Sequence, residues 1–312
     1  MNAEIVEKLQ KSEAYLSFKA ERRVQKITEE NNWNTIRSAY FADPNSGKLR
    51  EIDIVSRWHF EKKIYKNHEL KLNITLLIEC KSLSNYHILT DGAVAEYSCG
   101  NDNVWFGYDS YNRNVRLLNI LNKSSLPPNE KAAIIDLLNK WCFPGDASLF
   151  IDHRPQPFND ISCYSSFRET NLGTTKELDS SVIWKSCLAL TGAAVGYENS
   201  VWHSIESDLL STIDYISTYK VNYKRALKSL FYPYQLLNYA SLHKVLVVDS
   251  FIWEAAGTIK QLPYFRLIQK TIQGYTDSWV DIVHIDSFSD YLEKISKHYL
   301  TTLTATGMMQ KK

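Results

Sequence analysis

The sequence predicts an α/β or α+β protein built around one mixed sheet with helices against it. Three observations predict it. A helix-period apolar stripe opens the chain, three strand-like stretches follow it, and helical and strand patterns both return in the second half.

Residues 3–30 read as helix. Leu16, Ala20, Val24 and Ile27 recur at helical spacing as one buried stripe, while Lys19, Arg22, Arg23 and Lys26 fall on the solvated side. Glu21 sits at the edge of the stripe, and Glu29 and Glu30 lie on the same helix. "WNTIRSAYFA" reads as a strand, and "DPNSG" supplies the residues of a tight reversal. "KLREIDIVSRW" is the returning strand, so residues 35–57 form a hairpin. "HFEKKIYKNHELK" is charged throughout and reads as a surface connection. "LNITLLIECKSL", rich in Leu and Ile, is a third strand, central in its sheet.

From 84 to 178 the pattern weakens. That stretch holds aromatic-rich "NVWFGYDSY", a helix over 129–142 after "LPPNE", and the proline-bearing loop "FIDHRPQPFND". Helical pattern returns over 180–195 and 199–219. Strands follow in "HKVLVVDSF" (243–251) and "WVDIVHIDSF" (279–288), then a helix in "SDYLEKISKHYL" with Ser289 as its N-cap.

Composition narrows the function classes. A net charge of +1 excludes a strongly basic nucleic-acid coat protein but leaves a local basic groove open. The five cysteines are dispersed without a C-x-x-C pair, which argues against a disulfide framework or a zinc site. The N-terminal stretch is charged and has no signal-peptide core, and no apolar run reaches the ~20 residues of a membrane span, so a cytoplasmic location away from membranes is expected. There is no G-x-S-x-G elbow and no G-x-G-x-x-G, and "TGAAVG" (191–196) lacks the Lys-Ser/Thr of a phosphate loop. Asp152, His153 and Arg154 read as loop surface.

The strand positions that carry charge are more informative. Side chains alternate along a strand, so Glu79 and Lys81 share a face, about 7 Å apart, while Cys80 turns to the other. On the preceding strand Glu51 and Asp53 share a face, flanked by Ile52, Ile54 and Val55. The two strands together bring Asp53, Glu79 and Lys81 toward one another. Converging carboxylates repel unless a cation lies between them, and hard oxygen ligands favour Mg²⁺. A nearby lysine can orient an attacking water and stabilise charge on phosphate oxygens. Read singly, the same residues are surface ion pairs worth little. Ser82 fits a turn or cap. Trp58, Tyr65, Tyr86 and His87 flank the site in sequence, with Arg57, Lys62, Lys63, Lys66 and Lys71 among them, a composition suited to bases and phosphates or to a solvated loop.

In "FKAERRV", "GKLREIDIV" and "LLIECKS" the chain resembles the PD-(D/E)XK nuclease superfamily, although its first half-motif is E-I-D rather than P-D. The resemblance implies a restriction-endonuclease-like αβββαβ core over 1–83 and 179–300, with 84–178 as an insertion subdomain. It implies that Asp53 and Glu79 hold Mg²⁺ (or Mn²⁺) with the backbone carbonyl of Cys80, that Lys81 serves the attacking water, and that Glu21 assists. The implied function is a metal-dependent nuclease on nucleic acid, DNA before RNA, working in restriction, phage defence or repair, with a homodimer or protein partner left open. The alternative from another class is a catalytically silent nuclease fold acting as a nucleic-acid-binding or regulatory module.

Overall fold

The computed structural model describes residues 3–43, 47–65, 68–83, 86–90, 119–124, 126–142, 161–171, 182–219, 240–255, 258–269 and 278–305, apart from some side chains within these, among them those of 61–72. Two helices open the chain, α1 (Ala3–Gln10) and α2 (Glu13–Glu30). The expected single helix is broken at Ser12, whose hydroxyl accepts from the Tyr15 amide at 3.3 Å and so caps α2 instead of continuing α1. Ala20 and Val24 of α2 are buried and Ile27 packs beside them, as the stripe requires.

Strands β1 (Asn34–Ala42), β2 (Leu49–Tyr65) and β3 (His68–Lys81) form an antiparallel meander. The charged stretch after Trp58 is therefore no irregular connection. β2 and β3 continue past their neighbours as a two-stranded ribbon, since β1 pairing ends at Asn34↔Arg57 and pairing of β3 with a later strand (Ala240–Val248) begins at Asn73↔Ala240. The charged sequence of this ribbon lacks the apolar alternation that marks a half-buried strand. At its base Trp58 lies between Trp33 and Phe60, with ring centroids 6.3 and 6.1 Å away. That packing makes Trp58 part of the core's edge.

The later elements are β4 (Tyr86–Thr90), α3 (Pro128–Cys142), β5 (Cys163–Tyr164), β6 (Arg168–Asn171), α4 (Val182–Tyr219), β7 (Ala240–Val248), β8 (Phe251–Glu254), β9 (Lys260–Leu262), β10 (Tyr264–Gln269), β11 (Ser278–His284) and α5 (Phe288–Ala305). The main sheet is mixed and seven-stranded, in the order β1-β2-β3-β7-β11-β10-β5, with β3, β7 and β11 parallel. A second, four-stranded sheet runs β6-β4-β8-β9, so the expected single sheet is in fact two. Strands β4 and β5, from the stretch expected as an insertion, pair with β8 and β10 of the second half, one in each sheet, and β6 pairs with β4. Most of 84–178, including Asp152, His153 and Arg154, lies outside the described residues.

Two apolar layers hold the main sheet. Ile54, Ile74, Ile78 and Cys80 face α2 and α5, while Ile52, Leu77, Leu246 and Ile282 join Leu190 and Ala193 of α4. Burying each of the large aliphatic side chains contributes about 1.5–3 kcal/mol. Helix α4 runs unbroken for 38 residues where two helices were expected. Gly196 does not interrupt it. A Cβ there would stand 2.7 Å from the Phe41 ring and 2.8 Å from the Ala42 carbonyl, so the glycine lets the helix approach β1. Helix α5 begins at Phe288, directly after a 3₁₀ turn over 285–287, so Ser289 lies inside it rather than capping it. Among the described residues no helix is long and apolar enough to cross a membrane.

Candidate active site

The meander positions the charged residues through a crease. On β1–β2 the pairs Arg37↔Ile54 and Ala39↔Ile52 are made, and Ser38 and Asp53 between them are not paired. Ser38 has φ of 50°, in the left-handed region that a non-glycine residue enters at a cost of about 1–2 kcal/mol. At this level both strands change sides. Ile54 packs toward α2 and Ile52 toward α4, although they are two residues apart. Arg37 likewise reaches α2, while Ala39 and Phe41 pack toward α4. The simple alternation that put Glu51 and Asp53 on one face therefore fails at Asp53.

The crease also sets what Asp53 touches. The β2–β3 ladder ends at Ile54↔Ile78, and the Asp53 carboxylate takes over from the backbone: its Oδ2 accepts from the Cys80 amide at 2.7 Å. Two residues along, Lys81 Nζ donates to Glu79 Oε1 at 3.0 Å, with both side chains largely buried. Cys80 itself is fully buried in the α2 layer, on the face opposite Glu79 and Lys81, as alternation requires. Cys80, Cys163 and Cys187 are free thiols.

Electrostatics tie these groups together. Burial, then the neighbouring Glu79 charge, then Glu21 push the Asp53 carboxyl up to about 6, against the Cys80 amide and Lys81, which favour its ionised form. Burial alone would lower the Lys81 ammonium, but Glu79, by charge and hydrogen bond, and Asp53 outweigh it and leave Lys81 above the ordinary lysine range. Burial, with Asp53, Glu21 and Glu79 around it, holds the Cys80 thiol well above its usual value, so it is no nucleophile. Asp53 thus lies within electrostatic reach of Glu21, Glu79 and Lys81.

Glu21 is held from another side. Its Oε2 accepts from Arg37 Nη2 at 2.9 Å and its Oε1 from the Ser17 hydroxyl at 3.4 Å. Glu29 and Glu30 are exposed and pair along their own helix, with Gln25 and Lys26, so Glu21 is the α2 carboxylate that the site feels. Among the described residues no group of three His, Cys, Asp or Glu side chains is gathered at metal-ligand spacing.

Around the site, a cleft of about 290 Å³ lies between β2 and α4, with Phe41, Ile52 and Leu190 as apolar lining and Glu51 and Glu79 as carboxylates. Glu51 accepts from the Tyr40 hydroxyl at 3.5 Å. The Arg57 guanidinium lies 5.9 Å from the Tyr197 ring centroid. His87 accepts from Trp253 Nε1 and stacks near Phe251 in the second sheet. The side chains of Lys62, Lys63, Tyr65 and Lys71, and the whole of Lys66, lie outside the described parts.

Sequence reasoning missed two participants. Arg37, the partner of Glu21, is one of several arginines in the hairpin and carries no motif. Asp249 follows β7 in "VVDSF", and only the β3–β7 pairing reveals that it faces the end of β3. No family model, curated protein or solved structure matches the chain.

Proposed function

We propose that the chain is a Mg²⁺-dependent nuclease that hydrolyses phosphodiester bonds, with a restriction-endonuclease-like core of the PD-(D/E)XK kind. The observation that supports it most is the convergence of Asp53, Glu79 and Lys81 where β2 and β3 part. The donor set suits the cation. Asp53 and Glu79 are hard oxygen donors whose mutual repulsion a divalent ion would relieve, and Mg²⁺ commonly takes only one or two protein carboxylates, completing its shell with water and phosphate. Asp53 and Glu79 would hold it, with the Cys80 carbonyl as a third oxygen. When bound, Mg²⁺ supplies Lewis-acid stabilisation of the phosphate charge.

The chain's own groups divide the remaining work. The Cys80 amide orients Asp53 through Oδ2. Glu79 aligns Lys81 and favours its protonated form. A protonated Lys81 is a donor rather than a base: it orients the attacking water and stabilises negative charge growing on a phosphate oxygen. Glu21, held by Arg37, adds a third carboxylate charge and would assist directly or through water. DNA is favoured over RNA on the family resemblance alone, and roles in restriction, phage defence or repair fit equally.

The test is cleavage of labelled single-stranded DNA, duplex DNA and RNA with Mg²⁺, with Mn²⁺ and with chelator. Metal-dependent cutting of at least one substrate is expected. Cutting that persists in chelator, or no cutting of any substrate, would count against the proposal.

A further inference from the structure

Lys81 occupies the last rung of the β3–β7 ladder, opposite Val248. Past that rung both strands leave the main sheet, β3 toward β4 and β7 toward β8. A ladder's end frays, and a side chain there inherits the motion of its backbone. Here the end is sewn shut. The Asp249 carboxylate accepts from the Ser82 hydroxyl at 2.5 Å through Oδ2 and from the Leu83 amide at 2.7 Å through Oδ1. The Asp249 amide approaches the Lys81 carbonyl at 3.4 Å, and the Ser250 hydroxyl donates to the Leu83 carbonyl at 3.1 Å. Four contacts thus fix the three residues 81–83 to Asp249 and Ser250.

We propose that Asp249 is a positioning residue for the nuclease reaction: it clamps the end of β3 so that Lys81 and Glu79 keep their geometry. The inference rests on the nuclease reading given above. A carboxylate suits the task because it accepts from a hydroxyl and an amide at once. Apolar residues at 249 would leave the Leu83 amide and the Ser82 hydroxyl without acceptors. Ser82 therefore serves the clamp rather than the substrate. Displacement of a reacting group by about 1 Å costs roughly 100-fold in rate, so the clamp acts on turnover more than on substrate affinity.

The experiment compares wild type, Asp249→Ala, Asp249→Asn, Ser82→Ala and Asp53→Ala by three readouts: melting temperature, Mn²⁺ titration, and kcat with KM on a cleavable oligonucleotide. Asp249→Ala is expected to lower kcat by about 10–100-fold with KM within about twofold. Asp249→Asn, which keeps an oxygen for the Leu83 amide, is expected to recover part of that loss. Should Asp249→Ala fail to fold, Ser82→Ala removes a single bond and is expected to lose a few-fold in kcat at an unchanged melting temperature. Unchanged kcat in Asp249→Ala, or a loss matched by its unfolded fraction, overturns the clamp. The nuclease reading fails separately: it falls if Asp53→Ala binds Mn²⁺ as tightly as wild type.

Discussion

Asp53 Oδ2 accepts a 2.7 Å hydrogen bond from the amide of Cys80, the residue that separates Glu79 from Lys81. This contact joins the acidic residue of β2 to the E-C-K end of β3 and fixes their relative position. It is also incomplete compensation, because burial and the Glu79 and Glu21 charges still push the Asp53 carboxyl up to about 6.

An acid whose pKa is higher folded than unfolded binds more protons in the folded state between the two values. Stability then falls as pH rises through that window. For Asp53 the window runs from the ordinary aspartate value of 3.8 to about 6. Its ionisation costs on the order of 3 kcal/mol above the window. Asp53→Asn is expected to raise the melting temperature at pH 7.5 and to have little effect at pH 4. Thermal unfolding at the two pH values measures this, and a variant destabilised at pH 7.5 would contradict it.

Divalent metal should act in the opposite sense to that repulsion. A cation that binds only the folded protein stabilises it by mass action, by about 2.7 kcal/mol at 100 times its Kd. Mg²⁺ is expected to raise the melting temperature of wild type at pH 7.5 and to leave Asp53→Asn unmoved. An equal rise in both proteins would place the metal elsewhere.

Two glycines of α4 should respond with opposite signs. Gly192 has nothing within 4 Å of a built Cβ, so Gly192→Ala is expected to stabilise the helix by about 0.5–1 kcal/mol. Gly196→Ala meets the Phe41 ring and the Ala42 carbonyl, and the latter is backbone that cannot swing aside. A loss of about 1–3 kcal/mol is expected, as for other overpacked contacts. Chemical denaturation of the pair reads both.

The far half of the sheet depends on a buried ion pair. Arg266 donates to Asp281 through Nε at 2.7 Å and Nη2 at 2.9 Å, and Tyr291 donates to the same carboxylate at 2.7 Å. The guanidinium also lies 4.0 Å from the Trp279 ring centroid. Asp281→Ala strands a buried cation and is expected to cost about 3–5 kcal/mol. Replacing both, as Arg266→Met with Asp281→Leu, should cost less than the single change, and denaturation midpoints would show the order.

What the sequence made legible follows from physics that acts locally. The α2 stripe, the pairing of the first two strands and the alternation of Ile74, Leu76, Ile78 and Cys80 are local signals, and they hold, while 44–46 of the reversal lie outside the described residues. Glu79 and Lys81 sharing a face is the same rule applied to charge. The crease was illegible because a serine at φ 50° carries no composition mark, unlike a glycine. The helical pattern in the sequence ends at 195, but α4 runs on through Gly196, whose closeness to Phe41 lies outside any local window. The ribbon beyond Trp58 and the short strands β8, β9 and β10 lack either length or alternation. Asp249 and Arg37 are set by pairing between distant segments, which no window on the chain contains.

The central claim is that Asp53, Glu79 and Lys81 together form a metal-dependent phosphodiesterase site. The most direct measurement is single-turnover cleavage of a labelled DNA by wild type, Asp53→Ala and Lys81→Ala, each with Mg²⁺ and with chelator. The account predicts cutting by wild type with Mg²⁺ alone and a loss of at least about 100-fold in either variant. Cutting that survives both substitutions, or that proceeds in chelator, would contradict it.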